Sequence, residues 1–144
     1  MKTKRNGFTF LEILISMLII SILTGVVGLS LYRHIRQAKI EAARMQIKTF
    51  QAALQMYRVE QGKLPTTEQG LAALCVKPAI EPVPQDYPEE GYLDSRQVPR
   101  DPWKRDYLYL VPGRNGEPFE VLSYGSDGEP GGEGEAADIS SSNL

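Results

Sequence analysis

FTFLEILISMLIISILTGVVGLSL, the run from Phe8 to Leu31, is 24 residues long and carries one charge, Glu12. At ~1.5 Å per residue a helix of this length measures about 36 Å, enough to cross a hydrocarbon core of roughly 30 Å with modest tilt. Lys2, Lys4 and Arg5 precede it with no acid among the first five residues, which predicts that this end stays in the cytoplasm. Arg33, Arg36 and Lys39 follow on the other side and weaken the charge argument taken alone. A cleavable secretory signal expects an apolar run of about 7–15 residues and then small residues at a cut site. This run is longer, and no A-x-A pattern follows it, so the stretch reads as a single-pass membrane anchor.

Glu12 separates an ordinary anchor from a more specific one. A carboxylate near the start of a bilayer helix costs a few kcal/mol and marks a functional site by default. A snorkelling, partly hydrated side chain is the plain account of it. The sharper account is a helix that pairs with another and needs a positive partner there. Cleavage after Gly7 makes one, the α-amine of Phe8, with Glu12 four residues along on the same face. Subunits stacked with an axial offset would bring the amine of one to Glu12 of the next.

The helical pattern continues past the apolar run. Tyr32 to Gln61 holds no proline or glycine and is rich in Ala, Gln, Arg, Lys, Glu and Met, all good helix formers. Small or apolar residues recur at Ile35, Ala38, Ala42, Met45, Thr49, Ala52, Met56 and Val59, alternating three and four apart. A second stripe, Ile40, Ile47, Phe50, Leu54 and Tyr57, widens the apolar face toward the C-terminal half. A coiled-coil dimer would show such a stripe too, but charge pairing beside it is poor and a globular head follows. Gly62 and Pro65 end the helix, which with the membrane segment runs about 54 residues or roughly 80 Å.

Beyond it the chain reads as a small α+β head. Thr66 caps a short helix, with Gln69 three residues on completing a capping box, and Leu71, Leu74 and Cys75 face inward. Six prolines between Lys77 and Asp106 predict a long ordered loop laid over the head. Tyr107–Val111 and Phe119–Tyr124 alternate as strands do, with a turn at 112–116 between them, giving a small antiparallel sheet. The expected organisation is a leader at 1–7, an assembly helix at 8–31 and a head at 32–144.

From Glu117 to Leu144 there are seven acids and no base. Within this tail, residues 123–139 mix acids with glycines. Asp127, Glu133, Glu135 and Asp138 can supply carboxylates while glycines let backbone carbonyls turn to one point, as calcium's shell of six to eight oxygens requires. No nitrogen or sulfur donor set accompanies them, which argues against zinc or copper. A solvated acidic tail fits the same composition. The net charge of -2 gives no general case for nucleic-acid binding, and the single cysteine, Cys75, excludes an intrachain disulfide. No Ser/His/Asp set, G-x-S-x-G or phosphate loop appears, and the only histidine is His34. An enzyme is not expected.

Gly7-Phe8-Thr9-Phe10-Leu11-Glu12 after a short basic leader resembles the prepilin peptidase site of type IV pilins and pseudopilins. The resemblance implies cleavage after Gly7, N-methylation of Phe8 and use of Glu12 in assembly. Leu29 stands where such proteins often carry a proline, and Gly25 and Gly28 offer another way to loosen that region. Thr66-Thr-Glu-Gln-Gly-Leu71, Asp101-Pro-Trp103, Ser123-x-Gly-x-Asp-Gly128 and the closing Ala-Asp-Ile139 are together similar to the major pseudopilins of type II secretion systems. That similarity implies a homopolymer built with minor pseudopilins. Its other partners would be the prepilin peptidase, an inner-membrane assembly platform and, before assembly, membrane lipid. It places the head in the periplasm and the function in export of folded proteins. It also implies a Ca²⁺ site with Asp127 and Asp138 as acidic ligands and Tyr124 donating its carbonyl. Ala136 occupies a usually acidic position, which Glu133 or Glu135 would cover. An adhesive or motility pilin is the alternative, but it usually closes its C-terminal loop with a disulfide.

Overall fold

The computed structural model describes residues 7–144, with side chains outside 26–30. The leader before Gly7 therefore lies outside the described residues, and so do the side chains of Gly28 and Leu29. The chain divides into two compact units, one ending at Arg36 and one spanning Gln37–Leu144.

Helix α1 runs Phe10–Gln61. Thr9 opens it: its hydroxyl oxygen accepts from the Glu12 amide at 3.2 Å, covering one of the donors a helix start leaves unpaired. In the first unit the hydroxyls of Ser16, Ser21 and Thr24 donate to the carbonyls of Glu12, Met17 and Ile20 at 2.7, 2.8 and 2.8 Å. Each is thus satisfied by its own helix. Ile13, Leu14, Ile15, Met17, Leu18 and Ile19 are all exposed. A helix apolar all round calls for apolar surroundings. Among the described residues no helix is long and apolar enough to cross a membrane; the expected span, 8–31, runs through residues 26–30.

In the second unit α1 buries Ala43, Ile47, Phe50, Ala53, Leu54 and Tyr57. The head therefore sits on the second of the two sequence stripes. The first stripe faces out, with Met45, Met56 and Val59 69, 59 and 83 % exposed. The choice follows from size: covering Ile47, Phe50, Leu54 and Tyr57 removes far more apolar surface from water than covering Ala42, Thr49 and Ala52. Phe50 meets Tyr107 edge-on at 5.1 Å between ring centroids.

The capping box forms as expected. Gln69 N donates to Thr66 Oγ1 at 3.1 Å, and Thr66 N to Gln69 Oε1 at 3.0 Å. The turn is then cut short, and a 3-10 helix at Leu71–Leu74 takes over. Leu71, Leu74 and Cys75 are buried, and burial pushes the Cys75 thiol up from its ordinary pKa. Gln69 goes on to hold the proline-rich loop, its amide donating to the carbonyls of Ile80 and Pro82 at 2.8 and 3.2 Å.

Three strands form one antiparallel sheet in the order β1-β2-β3. They are β1 at Leu108–Leu110, β2 at Glu120–Ser123 and β3 at Ile139–Ser140. Leu108 faces Leu122, and Leu122 faces Ser140. The first two strands match the expected hairpin. The third is a correction to the sequence reading, which ended the acidic loop at Ile139: a two-residue strand carries too little periodicity to be seen. All four β2 residues are buried, Glu120 among them at 1 % exposure. It is tolerated because Arg114 Nη2 and Nε reach its carboxylate at 2.7 and 2.9 Å, and Ser140 Oγ donates at 2.6 Å.

Candidate functional site

Two places gather the residues singled out from sequence. At the N-terminal end, Gly7 has open space around its α-carbon, and Phe8 is 80 % exposed. Glu12 lies in the first turn of α1, where a carboxylate is favoured by the amide dipoles of the helix start. Among the described residues none forms an ion pair with it. Gly7, Phe8 and Glu12 thus share one accessible segment.

The acidic loop fills the interval between β2 and β3. Its first arm turns at Tyr124–Gly128, where Tyr124 O accepts from Gly128 N at 3.2 Å. Its second arm returns through Gly131–Asp138, with Asp138 N donating to Gly131 O at 3.1 Å and Asp138 Oδ1 accepting from Gly131 N at 3.0 Å. Ser126 N joins the arms by donating to Glu135 O at 2.9 Å. Gly125, at φ +63°, lets them approach: a Cβ there would lie 2.6 Å from Glu135 O and 2.9 Å from Ala137 O. Any side chain would force the arms apart.

Three residues outside the loop hold it. The Asp101 carboxylate, 4 % exposed, accepts from Ser123 Oγ at 2.6 Å and from the amides of Trp103 and Arg105 at 3.0 and 2.8 Å. Trp103 Nε1 donates to Glu135 Oε1 at 2.9 Å. Arg105 Nη1 and Nη2 donate to the carbonyls of Gly125 and Asp127 at 2.7 and 2.8 Å. The Asp101-Pro-Trp103 motif thus has a bracing role that the sequence does not reveal, and Arg105, which belongs to none of the sequence motifs, shares it. The one available signal was a basic pair, Lys104 and Arg105, beside a chain end otherwise rich in acids.

The donor chemistry of the loop suits a hard cation. It offers only oxygens, and carbonyls crowd the space that Gly125 leaves open. Asp127 is exposed and Asp138 half-buried, on opposite arms, while Glu133 is exposed and Glu135 is committed to Trp103. Among the described residues no three acidic, histidine or cysteine side chains converge as a metal site would have them.

Comparison with known proteins gives concordant matches. The family described as type II secretion system (T2SS), protein G, matches residues 30–142, and the prokaryotic N-terminal methylation motif matches residues 2–28. A Pseudomonas aeruginosa protein named type II secretion system core protein G is 40 % identical over 138 residues, covering 96 % of this chain and 95 % of its own. The protein of that name from Vibrio cholerae is 40 % identical over 141 residues, covering 98 and 94 %. The crystal structure of the major pseudopilin from the type 2 secretion system of enterohaemorrhagic Escherichia coli aligns at a TM-score of 0.65 and 36 % identity, over 79 % of this chain and 95 % of that one.

Proposed function

Because the chain belongs to the type II secretion system protein G family, the major pseudopilins, we propose that it is a non-enzymatic subunit whose stacking builds a periplasmic pseudopilus driving export of folded proteins. The observation that supports this best is the coexistence of the methylation motif and the protein G region along nearly the whole chain. An adhesive or motility pilin draws no such support.

On this reading the subunit waits in the inner membrane as a single-pass protein, with its N-terminus cytoplasmic and its head periplasmic. The apolar surface of α1 meets lipid, and the hydroxyls of Ser16, Ser21 and Thr24, satisfied by their own helix, seek no water there. Prepilin peptidase cuts between Gly7 and Phe8, and the new amine is methylated. The amine of one subunit then pairs with Glu12 of its neighbour as the assembly platform lifts subunits out of the bilayer, with minor pseudopilins joining the same fibre.

The acidic loop is read as a Ca²⁺ site of the head. Asp127 and Asp138 would supply carboxylates, Tyr124 a backbone carbonyl, and Glu133 or Glu135 a further acidic oxygen. The ion would cancel repulsion among the acids and tie the two arms together.

The direct test expresses the chain in a bacterium whose own major pseudopilin has been deleted. Restored secretion, with fibres seen by electron microscopy on overexpression, is the expected result. Neither fibres nor secretion from a stable, processed chain would overturn the assignment to the pseudopilus.

A further inference from the structure

Arg105 sets a guanidinium against the carbonyl side of the acidic loop. Its Nη1 and Nη2 donate to Gly125 O and Asp127 O at 2.7 and 2.8 Å, a forked grip on two carbonyls of one turn. The backbone beneath it is fixed from two directions. Arg105 N donates to Asp101 Oδ1 at 2.8 Å, and Arg105 O accepts from Asp101 N at 2.8 Å. The residue before it, Lys104, sits at φ +69°, the only left-handed non-glycine among the described residues, so the turn that aims Arg105 is held against local strain. Across the loop Gly128 leaves the guanidinium its space, since a Cβ there would fall 2.6 Å from Arg105 Cζ and Nε.

We propose that Arg105 is a positioning residue that acts as a built-in cation of the loop, doing from within the chain part of what Ca²⁺ is read to do above. The inference rests on that calcium reading. Two carbonyl oxygens of the first arm are already held by a positive group, so the Tyr124–Gly128 turn stays formed without metal. The same fixed charge repels an incoming dication, so calcium binds more weakly than the loop's acids alone would allow. The head is thereby less dependent on free calcium than a loop lacking this arginine.

The test uses the full chain in detergent micelles as wild type, R105Q and R105K. Hydrogen exchange of the 124–128 amides is followed in chelator, and calcium is titrated against the fluorescence of Trp103, the only tryptophan in the chain and a direct partner of Glu135. In chelator the wild-type amides exchange slowly, and those of R105Q at least roughly tenfold faster, as expected of a local opening. Calcium restores their protection. R105Q binds calcium about tenfold more tightly than wild type, the scale of a unit charge repelling a dication ~6 Å away in a water-like dielectric. R105K separates charge from fork: its calcium affinity stays near wild type, while its amides exchange as fast as those of R105Q. Wild-type-like exchange in R105Q, or calcium affinity unchanged by R105Q, overturns the proposal. If no chain responds to calcium, the calcium reading itself fails, and faster exchange of R105Q in chelator tells that failure apart from loss of the arginine's hold.

Discussion

Glu120→Gln isolates the buried ion pair at the end of the β1–β2 hairpin. The wild-type carboxylate is 1 % exposed and receives Arg114 Nη2, Nε and N at 2.7, 2.9 and 3.1 Å, and Ser140 Oγ at 2.6 Å. Arg114 first, then Ser140 and the Arg114 amide, outweigh desolvation and hold the carboxyl at about 2 against an ordinary 4.5. At 1.36 kcal/mol per pKa unit this difference corresponds to about 3 kcal/mol, trimmed toward ~2 because the Arg114 side chain is 44 % exposed and screened by water. Glutamine keeps the shape but turns an amide donor toward Arg114, so the loss falls in the same range at pH 7. The sign follows from the direction of the shift. Folding favours the ionised form, so its contribution is whole above about 4.5 and is lost as pH falls through about 2. Urea unfolding of Gln37–Leu144, followed by circular dichroism, should show the variant about 2–3 kcal/mol weaker at pH 7 and the two proteins converging near pH 2. Equal stability at pH 7, or a gap that does not close in acid, would refute the argument.

Mature protein from a host with prepilin peptidase should begin at Phe8 and carry one extra methyl group by mass spectrometry, and an intact Met1 terminus would sink the processing scheme. Glu12→Ala leaves the helix more apolar, so membrane insertion measured by fractionation should persist while fibres and secretion fall at least tenfold; normal assembly would remove the charge pair. The head should melt higher in calcium than in chelator, by the equivalent of roughly 2.7 kcal/mol at free calcium 100-fold above Kd, and Asp127→Ala should erase the difference in a calorimetric scan. Lys104→Gly relieves the left-handed backbone at φ +69°, so despite glycine's freer unfolded chain it should raise stability by about 0.5–1 kcal/mol; a lower melting temperature would show that no strain is held there.

Much of this was legible in the residues, and the misses share a cause. The α1 boundary, the Thr66–Gln69 box and the β1–β2 hairpin each rest on short-range chemistry that the local sequence carries whole. The two stripes on α1 do not: periodicity says that a face is apolar, not what covers it, and this helix has two such faces. Glu120 hides for a related reason. A charge inside a strand reads as solvent-facing until its partners are known, and those sit in the preceding turn and at residue 140. Arg105 is invisible in the same way, because its partners are backbone carbonyls 20 and 22 residues away.

The head closes through residues far along the chain from the helix they meet. β3 ends at Ser140, Ser141 N donates to Val121 O at 2.8 Å, and Gln51 Nε2 on α1 donates to Ser141 O at 3.2 Å. Residues 139–141 together supply the outer strand, one partner of Glu120 and the stitch back to the helix. Closure of the head is therefore a long-range event, spanning 90 residues from Gln51 to Ser141, which sets the entropy of closing that loop ahead of the contacts that offset it.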